Sequence, residues 1–157
     1  MLKITKDVEY ALIALKFMHD ASPGQIIAAR EICADKNLPF DATSRVMQKL
    51  ARKEILKSNQ GTKGGYQLVA DLSRVSVYDF MESAVGPVEL AKCLNVNSSC
   101  KLVGSCNIIS PMTTLNNKLI EFYKSINLRD LFDSKSSEEA VIKERFRTQA
   151  AGANASG

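Results

Sequence analysis

Cys93, Cys100 and Cys106 fall within one short stretch of the chain. The residues between them are mostly small or polar, among them Asn95, Asn97, Ser98, Ser99, Gly104 and Ser105. A segment of this kind has little apolar surface to bury and no regular period, so something other than a hydrophobic core must order it. Three thiolates around a metal centre would do so, because soft sulfur donors suit iron and zinc. The same thiols without a metal could instead act as a thiol–disulfide switch.

Other chemistry is less well provided for. His19 is the single histidine, and no cysteine–histidine or other nucleophile–base constellation is suggested. The chain therefore reads as a non-enzyme. The N-terminal run MLKITKDVEYALIALKF carries acids within its apolar pattern, which argues against a signal peptide, and no apolar run reaches the length that spans a membrane. The cytoplasm is the expected compartment, and there clustered cysteines more often bind metal or sense redox state than form disulfides.

The charge is unevenly spread. Residues 1–70 carry 11 Lys and Arg against 7 Asp and Glu, whereas residues 71–157 carry 10 against 10. Arg45, Lys49, Arg52, Lys53, Lys57 and Lys63 crowd one region that holds only Asp41 and Glu54 in return. A basic patch of this kind suits a polyanion, although charge alone would also fit a solvated helix face.

The elements that must position these groups can be read from spacing. Residues 5–19 predict a helix, with Thr5 as N-cap and Val8, Ala11, Leu12, Leu15 and Met18 on one stripe. A shorter helix is expected over 28–36, broken by Asn37-Leu38-Pro39. A third begins near Asp41, read as its N-cap, and runs to about Lys53, with Val46, Met47 and Leu50 inward and Arg45, Gln48, Lys49 and Arg52 outward. Two helices joined by a short turn, the second basic outside and apolar inside, form a helix-turn-helix pattern. Two strand-like runs, 55–58 and 66–69, flank a tip containing Gly61, Gly64 and Gly65, which reads as a hairpin wing.

Ser76 to Ala84 predicts a further helix, stopped by Gly86-Pro87. After the cysteine segment, Ser110 as N-cap and Pro111 in the first turn open a long helix. Along it Met112, Leu115, Leu119, Phe122 and Ile126 are spaced as a heptad seam, which calls for a partner helix, most simply from a second copy of the chain. Residues 127–132 close with a short helical turn, and the remainder is polar.

This order of elements is mainly α with a small β-wing: a winged helix-turn-helix plus a long dimerisation helix. Four regions are expected: a DNA-binding domain over 1–85, a cysteine loop over 86–109, a dimerisation helix and closing turn over 110–132, and a flexible tail over 133–157. The Tyr10-Ala11-Leu12 element, the Gly64-Gly65-Tyr66 wing and the three cysteines before a long helix resemble the IscR/NsrR/RirA family of winged-helix transcription regulators. The likeness covers about residues 1–132.

The resemblance implies a homodimer that binds double-stranded operator DNA, often as a repressor, and carries an iron–sulfur cluster (2Fe-2S or 4Fe-4S) that gates DNA affinity in response to iron, redox or nitric oxide status. Carried over, Cys93, Cys100 and Cys106 are the cluster ligands. In one branch of the family a histidine follows the third cysteine, but Asn107, Ile108 and Ile109 stand there in this chain. In the other branch a carboxylate in the first helix of the second subunit completes the site. Glu9 occupies the matching place, with Asp7 one step of register away. Cys33 and His19 are read as structural. For DNA, the resemblance implies that Asp41, Thr43, Ser44, Arg45 and Lys49 of the third helix enter the major groove, with Arg45 suited to a guanine edge. Lys49, Arg52 and Lys63 are expected at phosphates. Two other readings remain: a regulator using zinc or bare thiols, and an iron–sulfur electron carrier, for which a basic recognition helix and wing would serve no purpose.

Overall fold

A computed structural model describes residues 4–94 and 100–134. Past Ser134, the expected tail lies outside the described residues, as does the stretch 95–99 inside the cysteine segment.

Helix α1 (Lys6–Asp20) begins where Thr5 adopts an extended backbone and its side chain accepts from Val8 N at 3.4 Å. Asp7 and Glu9 lie in its first turn, where the helix dipole favours acids. Val8, Ala11, Ala14, Leu15 and Met18 form its buried stripe. Helix α2 (Ala29–Lys36) ends at Asn37, whose left-handed backbone (φ 52°) turns the chain and directs its N–H to the Cys33 carbonyl. Helix α3 (Phe40–Arg52) follows after Leu38 and Pro39. Pro39 is its N-cap, with no capping side chain. Asp41 therefore sits inside the first turn rather than at the cap, because proline's restricted φ sets the helix start before it.

The three-stranded antiparallel sheet has the order β1–β3–β2, from Ile26–Ile27 (β1), Leu56–Asn59 (β2) and Gly65–Leu68 (β3). The hairpin β2–β3 pairs Leu56 with Leu68 and Asn59 with Gly65. Strand β1, which the sequence reading did not anticipate, pairs Ile27 with Tyr66. It can do so only because position 65 has no side chain: an ideal Cβ there would lie 2.5 Å from the Ile27 carbonyl oxygen.

Helix α4 (Val77–Val85) is capped by Ser76, whose hydroxyl accepts from Asp79 N at 3.0 Å and donates to Asp79 Oδ2 at 2.6 Å. It stops at Gly86, with φ 90°. Two short 3₁₀ turns, Lys92–Leu94 and Val103–Ser105, follow. Helix α5 spans Ile109–Ser125 and lacks a capping side chain. Ser110, expected to be its N-cap, lies within the first turn because the helix begins one residue earlier. Helix α6 (Leu128–Asp133) is capped by Asn127, whose side chain accepts from Asp130 N. The chain then closes on itself: Val77 N donates to the Ile126 carbonyl at 2.8 Å, and Leu128 N to the Val75 carbonyl at 2.9 Å. The α4–α5 excursion is thus tied at both of its ends.

One core unites α1, α2, α3, α4, α6 and the sheet. Phe80, Leu15, Ile32, Met47, Leu50 and Leu128 are among its fully buried side chains. Each such large apolar group contributes about 1.5–3 kcal/mol through removal from water. Helix α5 contributes only Asn116 as a buried residue, and its side chain accepts from Leu90 N at 3.0 Å. The heptad seam is split by this packing. Met112 and Leu119 are half-buried, while Leu115 and Phe122 stand 55% and 56% exposed. No described helix is long and apolar enough to cross a membrane.

Candidate nucleic-acid interface and cysteine segment

Helix α3 divides cleanly. Thr43, Val46, Met47 and Leu50 are buried. On the opposite side Asp41, Arg45, Gln48 and Arg52 are exposed and Ser44 is half-exposed. These five recur at steps of three and four, so they form one face available to a groove. Gln48, placed outward by the sequence but not assigned to DNA, belongs to this face through its spacing from Ser44 and Asp41.

Two expected contacts fall off that face. Thr43 is fully buried, and its hydroxyl has no hydrogen-bond partner among the described residues. The helix turns this position towards the core, so its side chain does not reach base edges. Lys49 is half-buried and donates through Nζ to the Ala84 carbonyl at 2.9 Å, which turns its charge to the C-terminal end of α4 and away from phosphates.

Arg45 lies beside Asp7 of α1, with 3.7 Å between guanidinium and carboxylate. Both groups are solvated, so the pair adds little stability and leaves Arg45 available to a stronger anionic or base-edge partner. Arg52 is exposed, and Lys63 is exposed near the wing tip. Between α3 and the wing lies an open cleft of about 680 Å³, bordered by Gln48, Arg52, Lys57, Ser58 and Tyr66. Burial pushes the Tyr66 phenol above its ordinary value, so it remains a protonated hydrogen-bond donor.

The cysteine segment leaves α4 at Gly86 and rests on α5 through Leu90 and Asn116. Cys93, in the first 3₁₀ turn, is half-buried, Cys100 is exposed, and Cys106 is half-buried three residues ahead of α5. Glu9 is 45% exposed on α1 and pairs with Lys6 at 2.8 Å. Among the described residues of a single chain, no three His, Cys, Asp or Glu side chains converge as a metal-holding group. The donors therefore fit iron–sulfide by chemical type, while one chain in this conformation does not gather them into a cage.

Cys33 is buried in α2, consistent with a structural role. His19 Nε2 donates to Asp133 Oδ1 at 2.9 Å, and its ring packs against Phe132, so it fastens α6 to the end of α1.

The winged topology agrees with comparisons to known proteins. The Rrf2 family, described as iron-dependent transcriptional regulators, matches residues 4–134. This chain belongs to the Rrf2 family. It is 19% identical to the HTH-type transcriptional regulator NsrR of Bacillus subtilis over 143 residues, covering 90% of this chain and 96% of that protein. Two solved structures share the fold. CymR, the global cysteine regulator of B. subtilis, has a TM-score of 0.61 at 21% identity, covering 87% of this chain and all of that one. IscR of T. potens has a TM-score of 0.60 at 18% identity, covering 86% and 89%. The chain is thus an Rrf2 transcription regulator that binds DNA, and not an enzyme.

Proposed function

We propose that this Rrf2 protein is a cytoplasmic homodimer whose operator affinity is gated by an iron–sulfur cluster held through Cys93, Cys100 and Cys106, with Glu9 of a second copy as fourth ligand. The observation that carries this reading is the position of the cysteine segment. It is strung between α4, whose end accepts the hydrogen bond from Lys49 of α3, and α5, whose exposed Leu115 and Phe122 offer an apolar edge to a second copy. The iron dependence in the family description and the thiolate donor set favour iron. Among the described residues of one chain Glu9 joins no metal-holding group with the cysteines, which is compatible with its delivery by the other subunit.

When bound, the cluster would supply a centre that changes charge with redox state and comes apart on loss of iron. The protein's part is mechanical. Cys93, Cys100 and Cys106 hold the segment together, the Leu90–Asn116 hydrogen bond sets it on α5, and α4 transmits its position to α3. Two recognition helices must sit about one turn of DNA apart, so a small rotation between subunits changes affinity. A coupling of about 1–3 kcal/mol gives a 5- to 150-fold range.

A second reading is favoured by the likeness to CymR, a cysteine regulator by name. In it the same thiols act without iron, as a thiol–disulfide switch. Oxygen-free purification followed by counts of iron, zinc and acid-labile sulfide decides between them. The first reading expects a coloured protein that loses its colour in the Cys100→Ala variant. Iron-free and sulfide-free protein that binds its operator normally would overturn it.

A further inference from the structure

Phe40 is the first residue of α3 and is 41% exposed. Phe17, Phe80 and Phe132 lie in or against the core, and Phe122 lies on the outer edge of α5. Phe40 does neither: it adds nothing to the core and sits on the α3 side that the wing flanks. Together with Ser44 and Gln48 it forms a ridge at steps of four along the helix, bordering the Asp41–Arg45 row.

The ring is also held. The Arg30 guanidinium lies over it, 5.3 Å from its centroid, within the range of cation–π attraction. Arg30 occupies the first turn of α2, where a cation opposes the helix dipole, so this placement does not serve the stability of α2. An oriented aromatic ring that stays 41% exposed at the leading end of this helix lies outside the apolar core. It matches one feature of the major groove, the C5 methyl group of thymine, which is read by apolar contact.

We infer that Phe40 is a specificity-determining residue that packs on a thymine methyl group in each operator half-site, and that Arg30 is the positioning residue that keeps the ring turned outward. This rests on the DNA-reading role of α3 and adds a base identity that the basic residues cannot supply.

The test uses the full-length protein, prepared without oxygen, and a random duplex pool from which it selects its consensus. Each dT in that consensus is then replaced singly by dU, which removes only the methyl group. The wild-type protein should lose about fourfold in affinity at one position per half-site, the ratio expected for burying one methyl group. Phe40→Ala, which should fold normally because the side chain is outside the core, should be indifferent to that replacement. Phe40→Leu should regain part of the sensitivity, and Arg30→Ala should blunt it. A consensus with no methyl-sensitive position, or equal sensitivity in Phe40→Ala, overturns the role of Phe40 and leaves the DNA-reading function intact. Failure to select any consensus removes both.

Discussion

The Nζ of Lys49 donates to the backbone carbonyl of Ala84 at 2.9 Å, joining the last turn of α3 to the last turn of α4. Ala84 is buried and Lys49 is half-buried, so the bond is partly shielded from water. A charge-assisted bond to a helix's final carbonyls also meets the negative end of the dipole. It links α3 to the helix that leads into the cysteine segment.

Lys49→Met should keep the packing of the stem and delete the bond, costing about 1.5–3 kcal/mol in urea unfolding. Because Lys49 faces α4, the slope of log affinity against log salt should stay unchanged. A slope smaller by about 1 would place Lys49 at a phosphate after all.

Arg45 and Lys63 should behave differently from one another. Arg45→Ala is expected to cost about 1–3 kcal/mol in operator binding and to relax the preference at one base position. Lys63→Ala should weaken all sequences alike and reduce the salt slope by about 1. Binding isotherms on the selected operator and on scrambled duplex, each at several salt concentrations, separate the two.

Thr43 carries a buried hydroxyl with no partner among the described residues. Thr43→Val keeps the shape and removes the polar atom, so the unfolding free energy should rise by about 1 kcal/mol, the lower end of the penalty for an unsatisfied buried group. Operator affinity should not change. A drop in affinity without loss of stability would return Thr43 to the DNA-contacting set.

Gly65→Ala should disrupt the wing. The added Cβ meets the Ile27 carbonyl oxygen and carbon at 2.5 and 2.7 Å, and both are backbone atoms that cannot rotate away. Strand β1 must then separate from β3. Amide exchange at residues 27, 65 and 66 should accelerate markedly, while protection in α1 persists.

Asp133 should make part of the stability depend on pH. The His19 hydrogen bond, followed by the charges of His19, Arg129 and Lys16, holds its carboxyl below the usual carboxylate range. A depressed folded-state value means that the contribution is present above the ordinary Asp value of about 3.9 and is lost as pH falls through the folded value. Urea midpoints measured between neutral and acid pH should show this component in the wild type, and Asp133→Asn should lack it.

Local rules made much of this protein legible. The apolar stripe of α1, the caps at Thr5 and Ser76, the breaks at Pro39 and Gly86, and the glycine-rich wing all depend on residues a few positions apart, and each stands where spacing placed it. The same is true of the outward row Arg45–Gln48–Arg52. The chemical types in the cysteine segment were equally plain, since three thiols in a polar stretch have few structural uses.

Tertiary packing decided the rest. Strand β1 is two residues long and exists only because Gly65, far along the chain, lets its backbone approach. Thr43 and Lys49 both lie near an outward row, yet α4 and the core draw one inward and the other sideways, a choice made by neighbours remote in sequence. The seam on α5 reads as continuous in sequence. The docking of Leu90 on Asn116 and the return of Ile126 to Val77 divide it, leaving Leu115 and Phe122 outside. Periodicity assigns residues to faces, but only the contacts made by distant segments determine which face meets the core and which meets solvent.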